Sequence, residues 1–278
     1  MILDVIIPPR PKSTQVEASL LFLESSPARP TINFEREPTG TFSAPYAPHK
    51  VTLRDARDFT PRLDVEGFSL VRHRSRVADF WNDAEAEGRG RAEAAEIVAK
   101  ATGAHHVHVF DHTRRRRAPD APRQPSTRAH NDYTPASARR RVRDLLGEVA
   151  ARQPFAFINV WRPIRHVALD WPLALCDARS VAPEDLAETD IEYPGRRGEI
   201  YHLRYNPQQR WYYVPAMQLD EALLIKCADT RTGRAQLAPH TAFEHPSTPV
   251  EAPPRESIEF RTIAFFGEKQ PLRIARLG

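Results

Sequence analysis

Cysteine is scarce in this sequence, with Cys176 and Cys227 the two residues of this type among 278. Two cysteines cannot build a disulfide framework, which excludes the class of small secreted domains that disulfides stabilise. The first residues, MILDVIIPPRP, also lack the basic start and the long apolar stretch of a signal peptide. These absences predict a protein of the reducing cytoplasm.

Long apolar runs and a one-sided charge are missing as well. No stretch approaches the roughly 18 apolar residues of a membrane-spanning helix, so we expect a soluble chain without a membrane partner. The 40 basic and 36 acidic residues give a formal charge of +4. Because the two signs nearly balance, the overall charge does not indicate an anionic partner such as nucleic acid.

Prolines set the N-terminal part of the chain apart from the rest. Residues 1–50 contain PPRP, SSPARP and SAPYAPH and show no sustained hydrophobic period, which predicts a proline-rich arm. We expect residues 51–278 to form a single domain, because a hydrophobic content of 41% is ample for one sizeable core. Two short helices, broken near Gly88 to Gly90, are predicted between residues 77 and 101.

A further helix signal begins at Pro135, with Thr134 as a candidate N-cap. Four apolar side chains at helical spacing predict one buried face: Val142, Leu145, Leu146 and Val149. Four arginines of the same stretch are expected to form a solvated basic face, with nucleic-acid binding as the less favoured interpretation: Arg139, Arg140, Arg141 and Arg143.

From Phe155 onward the pattern changes to short β-branched or aromatic runs. They are FAFINVW, PLALCDA, EIYHLRYN, RWYYVPA, EALLIKCAD and SIEFRTIAFF. The turn residues 206–209, NPQQ, predict a hairpin between the third and fourth runs. No helical pattern separates the later runs, which favours a mainly β antiparallel barrel or jelly roll with flanking helices.

The short segment RAHNDYTP contains a histidine and a carboxylate at His130-x-Asp132. Such pairs are common by chance, so the motif alone is weak. On an extended backbone, however, both side chains lie on the same side, and a third ligand can come from a distal strand, where His240 and His245 are available. Two imidazoles and one carboxylate hold Fe(II) and leave positions open for a 2-oxo acid and dioxygen.

The local sequence distinguishes the two distal histidines as candidate metal ligands. Arg255 lies 15 residues after His240 and 10 after His245. The shorter gap resembles the His-to-Arg-x-Ser spacing of plant-type oxygenases, which is an argument for His245. His245 precedes Pro246 in a proline-rich, irregular connection, whereas His240 opens HTAF, whose Thr and Phe are strand formers. We therefore expect His240 to be the metal ligand, since a strand holds a ligand more rigidly than a loop.

The far carboxylate of a 2-oxo acid needs a fixed cation, and arginine offers two parallel donors for it. If SIEFR is extended, Arg255, Ser257 and Arg261 share one face, and all three are candidate 2-oxoglutarate ligands, with Arg261 preferred. The alternative is surface salt bridging between these arginines and Glu256 or Glu259.

The sequence offers other candidate metal ligands and substrate-pocket residues. An alternative metal site is a second group of potential ligands, although no residue nearer the C-terminus is as well placed to complete it as His240 is for the first group. Its members are His105, His106, His108, Asp111 and His112. Within that group, we expect His112 to face the substrate pocket instead. The remaining candidate pocket residues are Asn159, Arg162, Tyr205 and Trp211, although such aromatics more often belong to a core.

Several runs together resemble a known family. They are HNDYTPASARRRVRDLL, FINVWRP, YNPQQRWYYVPAM, EALLIKCAD and PHTAF with APPRESIEFR. They resemble the hydroxylase/desaturase family of the cephalosporin 7α-methoxylation hydroxylase component and the fungal gibberellin desaturase, over roughly residues 50–267. The resemblance implies a double-stranded β-helix (cupin-like) core and non-haem iron. It maps the metal ligands to His130, Asp132 and His240, and Arg255 and Arg261 match arginines of the closing motif.

We therefore expect an Fe(II)/2-oxoglutarate-dependent oxygenase that hydroxylates or desaturates a small natural product in secondary metabolism, using dioxygen. One alternative is a jelly-roll binding protein that has lost its iron. A second is an oxygenase acting on nucleic acid, since RRRR could contact phosphates. Too few aromatic residues accompany those arginines to form a base-stacking surface.

Overall fold

The computed structural model describes residues 15–34 and 40–267, in which fifteen strands and four α-helices are found. The strands are β1 Val16–Leu23, β2 Thr31–Asn33, β3 Thr41–Phe42, β4 Tyr46–Asp55, β5 Phe68–Arg72, β6 His106–Arg116, β7 His130–Asn131, β8 Phe155–Pro163, β9 Leu173–Cys176, β10 Leu186–Tyr193, β11 Arg196–Leu203, β12 Trp211–Tyr213, β13 Glu221–Asp229, β14 His240–Ala242 and β15 Glu256–Phe265. The helices are α1 Asp83–Glu85, α2 Arg91–Thr102, α3 Pro135–Leu146 and α4 Glu148–Arg152, with a π-helical turn at Ala86–Gly90 and 3-10 turns at Ala56–Asp58, Ala178–Ser180 and Pro183–Asp185.

The strands form two sheets. The larger sheet has ten strands in the order β1-β4-β12-β9-β14-β7-β11-β10-β2-β3, and the smaller has five in the order β5-β13-β8-β15-β6. The strand pairs are antiparallel except for β10 with β2 and β12 with β4. This mainly antiparallel pair of sheets with helices outside agrees with the predicted fold class.

The smaller sheet is covered on both faces, which explains its continuous apolar runs. Every residue of β8 and β13 is buried, as expected for strands with no solvent-facing side. The outer face packs under α2, whose Ile97 and Val98 share an apolar cluster with Val160 and Phe260. Gly90, which precedes α2, permits this approach, because a Cβ there would lie 2.8 Å from the Phe260 ring.

Strand alternation sorts the side chains of β15 between the two faces. Phe260 pairs with Val160 and belongs to the outer cluster, whereas Arg261 pairs with Asn159 and points to the inner face. On the inner face the two sheets pack together, with Trp161, Leu223 and Ile225 against Leu173, Leu175 and Met217. Polar residues that share this inner face therefore lie between the sheets.

The predicted helix from Pro135 is confirmed, and its start is fixed by a capping box. Thr134 Oγ1 accepts the Ser137 N–H at 3.0 Å, while Ser137 Oγ accepts the Thr134 N–H at 2.9 Å. The helix ends one turn earlier than expected, at Leu146 before Gly147, whose φ is +84°. Val149 consequently leaves the apolar face and is 62% exposed.

The predicted hairpin at residues 206–209 is wrong. β11 pairs with β10 and β7, whereas β12 pairs with β4 and β9. The hairpin is instead formed by β10 and β11, whose last register pair is Tyr193 with Arg196. Between them lies Gly195 with φ +72°, a conformation that glycine adopts without steric cost.

Part of the predicted arm belongs to the larger sheet. β1 pairs with β4 along its full length, from Val16 opposite Leu53 to Leu23 opposite Tyr46. The predicted boundary at residue 50 falls inside β4. Residues 1–14 and 35–39 of the predicted arm lie outside the described residues, so the division into arm and domain stays a prediction.

None of the helices in the described part of the chain is both long enough and apolar enough to span a bilayer. Both cysteines, Cys176 and Cys227, are buried free thiols.

Candidate metal centre

Two histidines meet where β7 and β14 pair in the larger sheet. His130 and His240 are directly opposite in register, and so their rings project from the same face, with centroids 4.7 Å apart. Asp132 follows β7, and its Oδ1 lies 3.6 Å from His130 Nε2. The potential ligand atoms of these three residues all lie within 4.8 Å of one another. In residues 15–34 and 40–267 this is the single group of three such side chains close enough to share an ion.

Backbone carbonyls fix the orientation of both imidazoles. His130 Nδ1 lies 2.8 Å from the Arg128 carbonyl oxygen, and His240 Nδ1 lies 3.1 Å from that of Ala238. A carbonyl can only accept, so Nδ1 carries a proton in both rings, and Nε2 is the nitrogen left for a metal ion. Burial, and secondly the nearby His130, lower the pKa of His240, which favours its neutral form. Both rings are therefore prepared to act as Nε2 ligands.

The two oxygens of Asp132 have different surroundings. Oδ2 accepts a hydrogen bond from Asn159 Nδ2 at 2.7 Å and lies 3.8 Å from Arg261 Nε, while Oδ1 faces His130. Burial alone would raise the pKa of Asp132, but the contact with His130 and the charge of Arg261 outweigh it and hold the pKa well below its usual range. A charged carboxylate with one oxygen held by the protein leaves Oδ1 for a cation.

These donors fit iron. Two neutral imidazoles and one carboxylate are the facial ligand set of non-haem Fe(II) oxygenases, which leaves further coordination positions for exchangeable ligands. The hydrogen-bonded Nδ1 atoms and the Asn159 amide supply the outer support that such ligands need.

Arg261 is already surrounded by carboxylates. Its Nη1 lies 2.8 Å from Asp111 Oδ2 and its Nη2 lies 3.1 Å from Glu259 Oε1, in addition to the contact with Asp132. Burial would lower the pKa of Arg261, but Glu259, Asp132 and Asp111 together raise it. The charge of this guanidinium is thus compensated by the protein itself.

Arg255 is in the opposite situation. It is 3% exposed and lies over the Trp161 ring, and its Nη1 donates to the Trp171 carbonyl at 2.6 Å. Its Nε is buried and has no hydrogen-bond partner among the described residues. Burial, and secondly the charge of Arg115, lower the pKa of Arg255 to about 9. Arg115 stands opposite Ser257, which is itself buried, in the β6–β15 pair.

Two residues beside the cluster had not been predicted. His202 on β11 is directly opposite His130, and burial, then His130, lower the pKa of His202 to about 3. Its Nδ1 lies 3.1 Å from both Tyr46 Oη and Thr189 Oγ1. Arg115 is the second, hidden in the RRRR run. No local motif marks either residue, because register across strands brings them to the site.

The predicted substrate-pocket residues are dispersed. Asn159 contacts Asp132, so it supports the metal cluster. His112 and Arg162 lie on the outer face of the smaller sheet, because His112 pairs with Phe260 and Arg162 with Ile258, both members of the outer cluster. These two residues therefore do not face the space between the two sheets.

Of the two aromatic candidates, Trp211 lies in a core and Tyr205, which is 37% exposed, lies at its edge. Trp211 is 1% exposed and packs edge-on against Phe22 in an apolar cluster of the larger sheet. Tyr205 packs against the same Phe22 and stacks on His49 at 4.2 Å. Their contacts favour the packing role that aromatics of this pattern usually have.

The other proposed ligands are placed outside the cluster. His245 Nε2 lies 3.2 Å from Tyr213 Oη. The alternative site at residues 105–112 yields no group of three ligands close enough to share an ion in the described part of the chain. Its His112 instead lies 3.2 Å from Glu87 through Nδ1.

Known proteins share this fold and sequence. A family model described as "Oxidoreductase/YMDC permease-like domain" matches residues 20–265. The Fe(II)/2-oxoglutarate-dependent dioxygenase nvfI of Aspergillus novofumigatus is 36% identical over 239 residues, which covers 80% of this chain and 85% of the relative. The hydroxylase/desaturase CTB9 of Cercospora beticola is 34% identical over 239 residues, or 75% and 73% of the two chains.

A solved structure extends the likeness to three dimensions. The iron and alpha-ketoglutarate-dependent endoperoxidase NvfI superposes with a TM-score of 0.84 at 32% identity, over 92% of this chain and 99% of that chain. The predicted jelly roll is thereby confirmed. Fold and site together define a non-haem iron oxygenase. The chain carries the Oxidoreductase/YMDC permease-like domain and belongs to the non-haem iron hydroxylase/desaturase family of Fe(II)/2-oxoglutarate-dependent dioxygenases.

Proposed function

We propose that His130, Asp132 and His240 hold Fe(II) in an oxygenase that hydroxylates or desaturates a small natural product. The observation that carries this proposal is the meeting of these three side chains with both Nδ1 atoms bonded to carbonyls. That arrangement aims both Nε2 atoms and one carboxylate oxygen at the same space. An iron-free binding protein would have no need of such an arrangement.

When bound, Fe(II) allows dioxygen to oxidise 2-oxoglutarate to succinate and carbon dioxide and the substrate at the same time. In hydroxylation one oxygen atom enters succinate and the other enters a C–H bond of the substrate. In desaturation the substrate loses two hydrogens, which leave in water. The residues of the chain hold and orient the reactants and keep bulk water away, for which the buried position of His240 is suited.

For the far carboxylate of 2-oxoglutarate we propose Arg255, assisted by Ser257 and Arg115, instead of the preferred candidate Arg261. Arg255 is a buried cation with an open donor, and Arg115 adds a second positive charge nearby. An anion between them would relieve both the desolvation and the repulsion. Arg261 is already neutralised by Asp111, Glu259 and Asp132, and we assign it to positioning Asp132.

The substrate class follows from the relatives. The aspirochlorine biosynthesis protein N of Aspergillus oryzae is 40% identical over 144 residues, which cover 49% of this chain and 60% of that protein. Its name and those of the hydroxylase/desaturase relatives support a small molecule of secondary metabolism as substrate here, with dioxygen as the second reactant. Neither nucleic acid nor a membrane is proposed as a partner. We propose that the enzyme acts in the cytoplasm, since both cysteines are free thiols.

The test is an anaerobic titration of the protein with Fe(II) and then 2-oxoglutarate, followed through the weak visible charge-transfer band of the chelate. We expect the band in the natural protein and none in Asp132→Ala, which loses the only anionic ligand. His240→Ala is expected to lose iron, and His245→Ala serves as the matched control that keeps it within a few-fold. Iron retained by His240→Ala and lost by His245→Ala would refute the ligand assignment.

With a substrate in hand, the second measurement is stoichiometry. Succinate should appear together with the oxidised product. Product formed under dioxygen without succinate would show that 2-oxoglutarate is not the cosubstrate.

A further inference from the structure

A basic cleft lies apart from the proposed iron ligands. It has a volume of about 490 Å³, between α3 and α4 on one side and the chain that leaves β13 on the other. Its lining contains four arginines and no acidic residue: Arg139, Arg152, Gln153, Pro154, Thr230, Arg231, Thr232 and Arg234. A concave surface lined by one sign of charge concentrates ions of the opposite sign.

Arg231 is held in place at the wall of this cleft. Its Nε and Nη2 donate to Asp229 at 3.0 and 2.7 Å, and the guanidinium stacks 3.4 Å from the centre of the Phe266 ring. Asp229, together with Asp64 at 3.6 Å from Nη2, offsets its charge, so Arg231 contributes hydrogen-bond donors at Nη1 and the uncompensated charge must come from elsewhere in the cleft. Because its position is fixed in advance, little side-chain freedom would be lost on binding a ligand.

Gln153 is an independent sign that something binds here. The residue is 8% exposed, and neither its amide nitrogen nor its amide oxygen has a hydrogen-bond partner among the described residues. A buried polar atom without a hydrogen-bond partner destabilises the folded chain. Neither amide atom presents appreciable surface to the cleft, so the amide reaches a ligand there only when its side chain turns toward the cleft.

The remaining arginines leave the cleft with a net positive charge. Arg234 pairs with Asp64 and Arg152 with Glu148, but neither carboxylate lines the cleft. Arg139 donates to the Ala151 carbonyl and lies over the Phe155 ring, contacts that leave its charge uncompensated. Arginine forks match the geometry of phosphate and sulfate oxygens.

We propose that this cleft binds a small molecule carrying a phosphate or sulfate group, at a site separate from the proposed iron centre. Arg231 and Arg139 contact the anionic oxygens, and the Gln153 amide turns toward the cleft to contact the body of the ligand. The proposal does not depend on iron or on the oxidation reaction, because no residue of the metal cluster lines the cleft.

The test is calorimetric titration of the full chain with phenyl phosphate, with sulfate in a parallel series. We expect saturable binding with one site per chain and a roughly tenfold or greater loss of affinity in Arg139→Gln. Arg140→Gln is the matched control, since it removes the same charge from the neighbouring position of α3 without touching the cleft. An equal loss of affinity in both variants would show that the loss reflects the net charge of the protein, and it would overturn the proposed site.

Gln153→Leu provides a signature that a structural role would not produce. It removes two unsatisfied polar atoms, so the melting temperature of the ligand-free protein should rise while the affinity for phenyl phosphate falls. A lower melting temperature with unchanged affinity would show that an ordered water satisfies the amide and would overturn its role as a ligand contact.

A third series of titrations distinguishes a soluble ligand from a membrane lipid as the source of the anionic group. It uses phosphatidylcholine vesicles with and without phosphatidic acid. Binding to free phenyl phosphate supports a small soluble ligand. Binding to phosphatidic acid vesicles alone, or no saturation by either soluble probe, would overturn the proposal.

Discussion

The contacts of Asp132 determine which of its two carboxylate oxygens is left to bind a cation. Its Oδ2 is occupied by the Asn159 amide at 2.7 Å, with Arg261 nearby, so Oδ1 is the oxygen left toward the histidines. Without the amide, the carboxylate could rotate and offer either oxygen. Outer contacts of this kind typically change metal affinity by 10- to 100-fold.

We predict that Asn159→Leu weakens Fe(II) binding by roughly 10- to 100-fold while the protein remains folded. The measurement is anaerobic titration with Fe(II), with thermal unfolding recorded on the same preparation. The matched control is Asn206→Leu, because Asn206 also donates to an aspartate, Asp185, at 3.0 Å, but in another part of the molecule. Unchanged affinity in a folded Asn159→Leu protein would show that the amide does not position the carboxylate.

The two arginines at the ends of one short motif should differ in what they bind. Arg255→Lys replaces a planar fork with a point charge, and we expect roughly tenfold or more weaker 2-oxoglutarate binding at unchanged iron affinity. Arg261→Lys should instead lower iron affinity, because Arg261 contacts Asp132. Both effects can be read from the chelate band as 2-oxoglutarate is added to the Fe(II)-loaded protein without dioxygen. If Arg261→Lys weakened 2-oxoglutarate binding and Arg255→Lys lowered iron affinity, Arg261 would be the residue that binds the far carboxylate of 2-oxoglutarate.

At the scale of the element, the π-helical turn before α2 contains two glycines with different surroundings. A Cβ at Gly90 would lie 2.8 Å from the Phe260 ring, whereas a Cβ at Gly88 would meet nothing within 4 Å. Gly90 therefore allows α2 to pack on the smaller sheet, and Gly88 has no such packing role.

We predict that Gly90→Ala lowers the free energy of unfolding by about 1–3 kcal/mol through overpacking. Gly88→Ala, its matched control, should raise it by about 0.5–1 kcal/mol, because alanine loses less backbone freedom on helix formation. Chemical denaturation of the two variants measures both values. Equal effects from the two changes would show that the contact with Phe260 relaxes at no cost.

Elements with a local signal were predictable, and those defined by distant partners were not. The Thr134 cap and the apolar spacing placed α3, and continuous apolar runs placed β8 and β13. The predicted hairpin joined β11 to β12 instead of to β10. The LAETDIEY run of β10 was not predicted as a strand, so the Pro194-Gly195 turn between β10 and β11 was missed. β1 was missed because its pairing with β4 is a long-range contact within a proline-rich stretch.

The candidate site divides in the same way. His130 and Asp132 are close in sequence, so their shared side followed from strand geometry alone. His240 could be chosen over His245 from strand formers and prolines. Arg115, His202 and the role of Asn159 required cross-strand register, which a single sequence does not contain.

At the scale of the whole molecule, buried carboxylates couple stability to pH. Burial would raise the pKa of Asp177, but the side-chain hydrogen bond from Arg179, its backbone N–H and the charge of Arg210 together lower it. Asp229 is similar, with Arg231 and Lys226 outweighing burial and lowering its pKa. Both side chains are fully buried and paired with cations.

The sign of the pH dependence follows from these directions. A carboxyl whose pKa is lower in the folded chain takes up a proton on unfolding in acid, so folding is stabilised above its unfolded pKa of about 3.9. That stabilisation is lost as the pH falls through the folded pKa. These carboxyls therefore make the free energy of unfolding fall most steeply below pH 4. His202, whose pKa in the folded chain is about 3, adds a decline that begins near its unfolded pKa of about 6.5, because the unfolded chain takes up that proton first.

Asp177→Asn isolates one member of this set, because an amide oxygen can still accept the Arg179 N–H that Asp177 now accepts at 3.0 Å. The variant cannot take up the proton, so the slope of unfolding free energy against pH below pH 4 should decrease, by at most about 1.4 kcal/mol per pH unit. Denaturant titrations at several pH values between neutral and acid measure the slope. Asp120→Asn, at an exposed position, is expected to leave it unchanged. If Asp177→Asn lowered stability equally at every pH, the contribution of Asp177 would lie in packing instead of proton linkage.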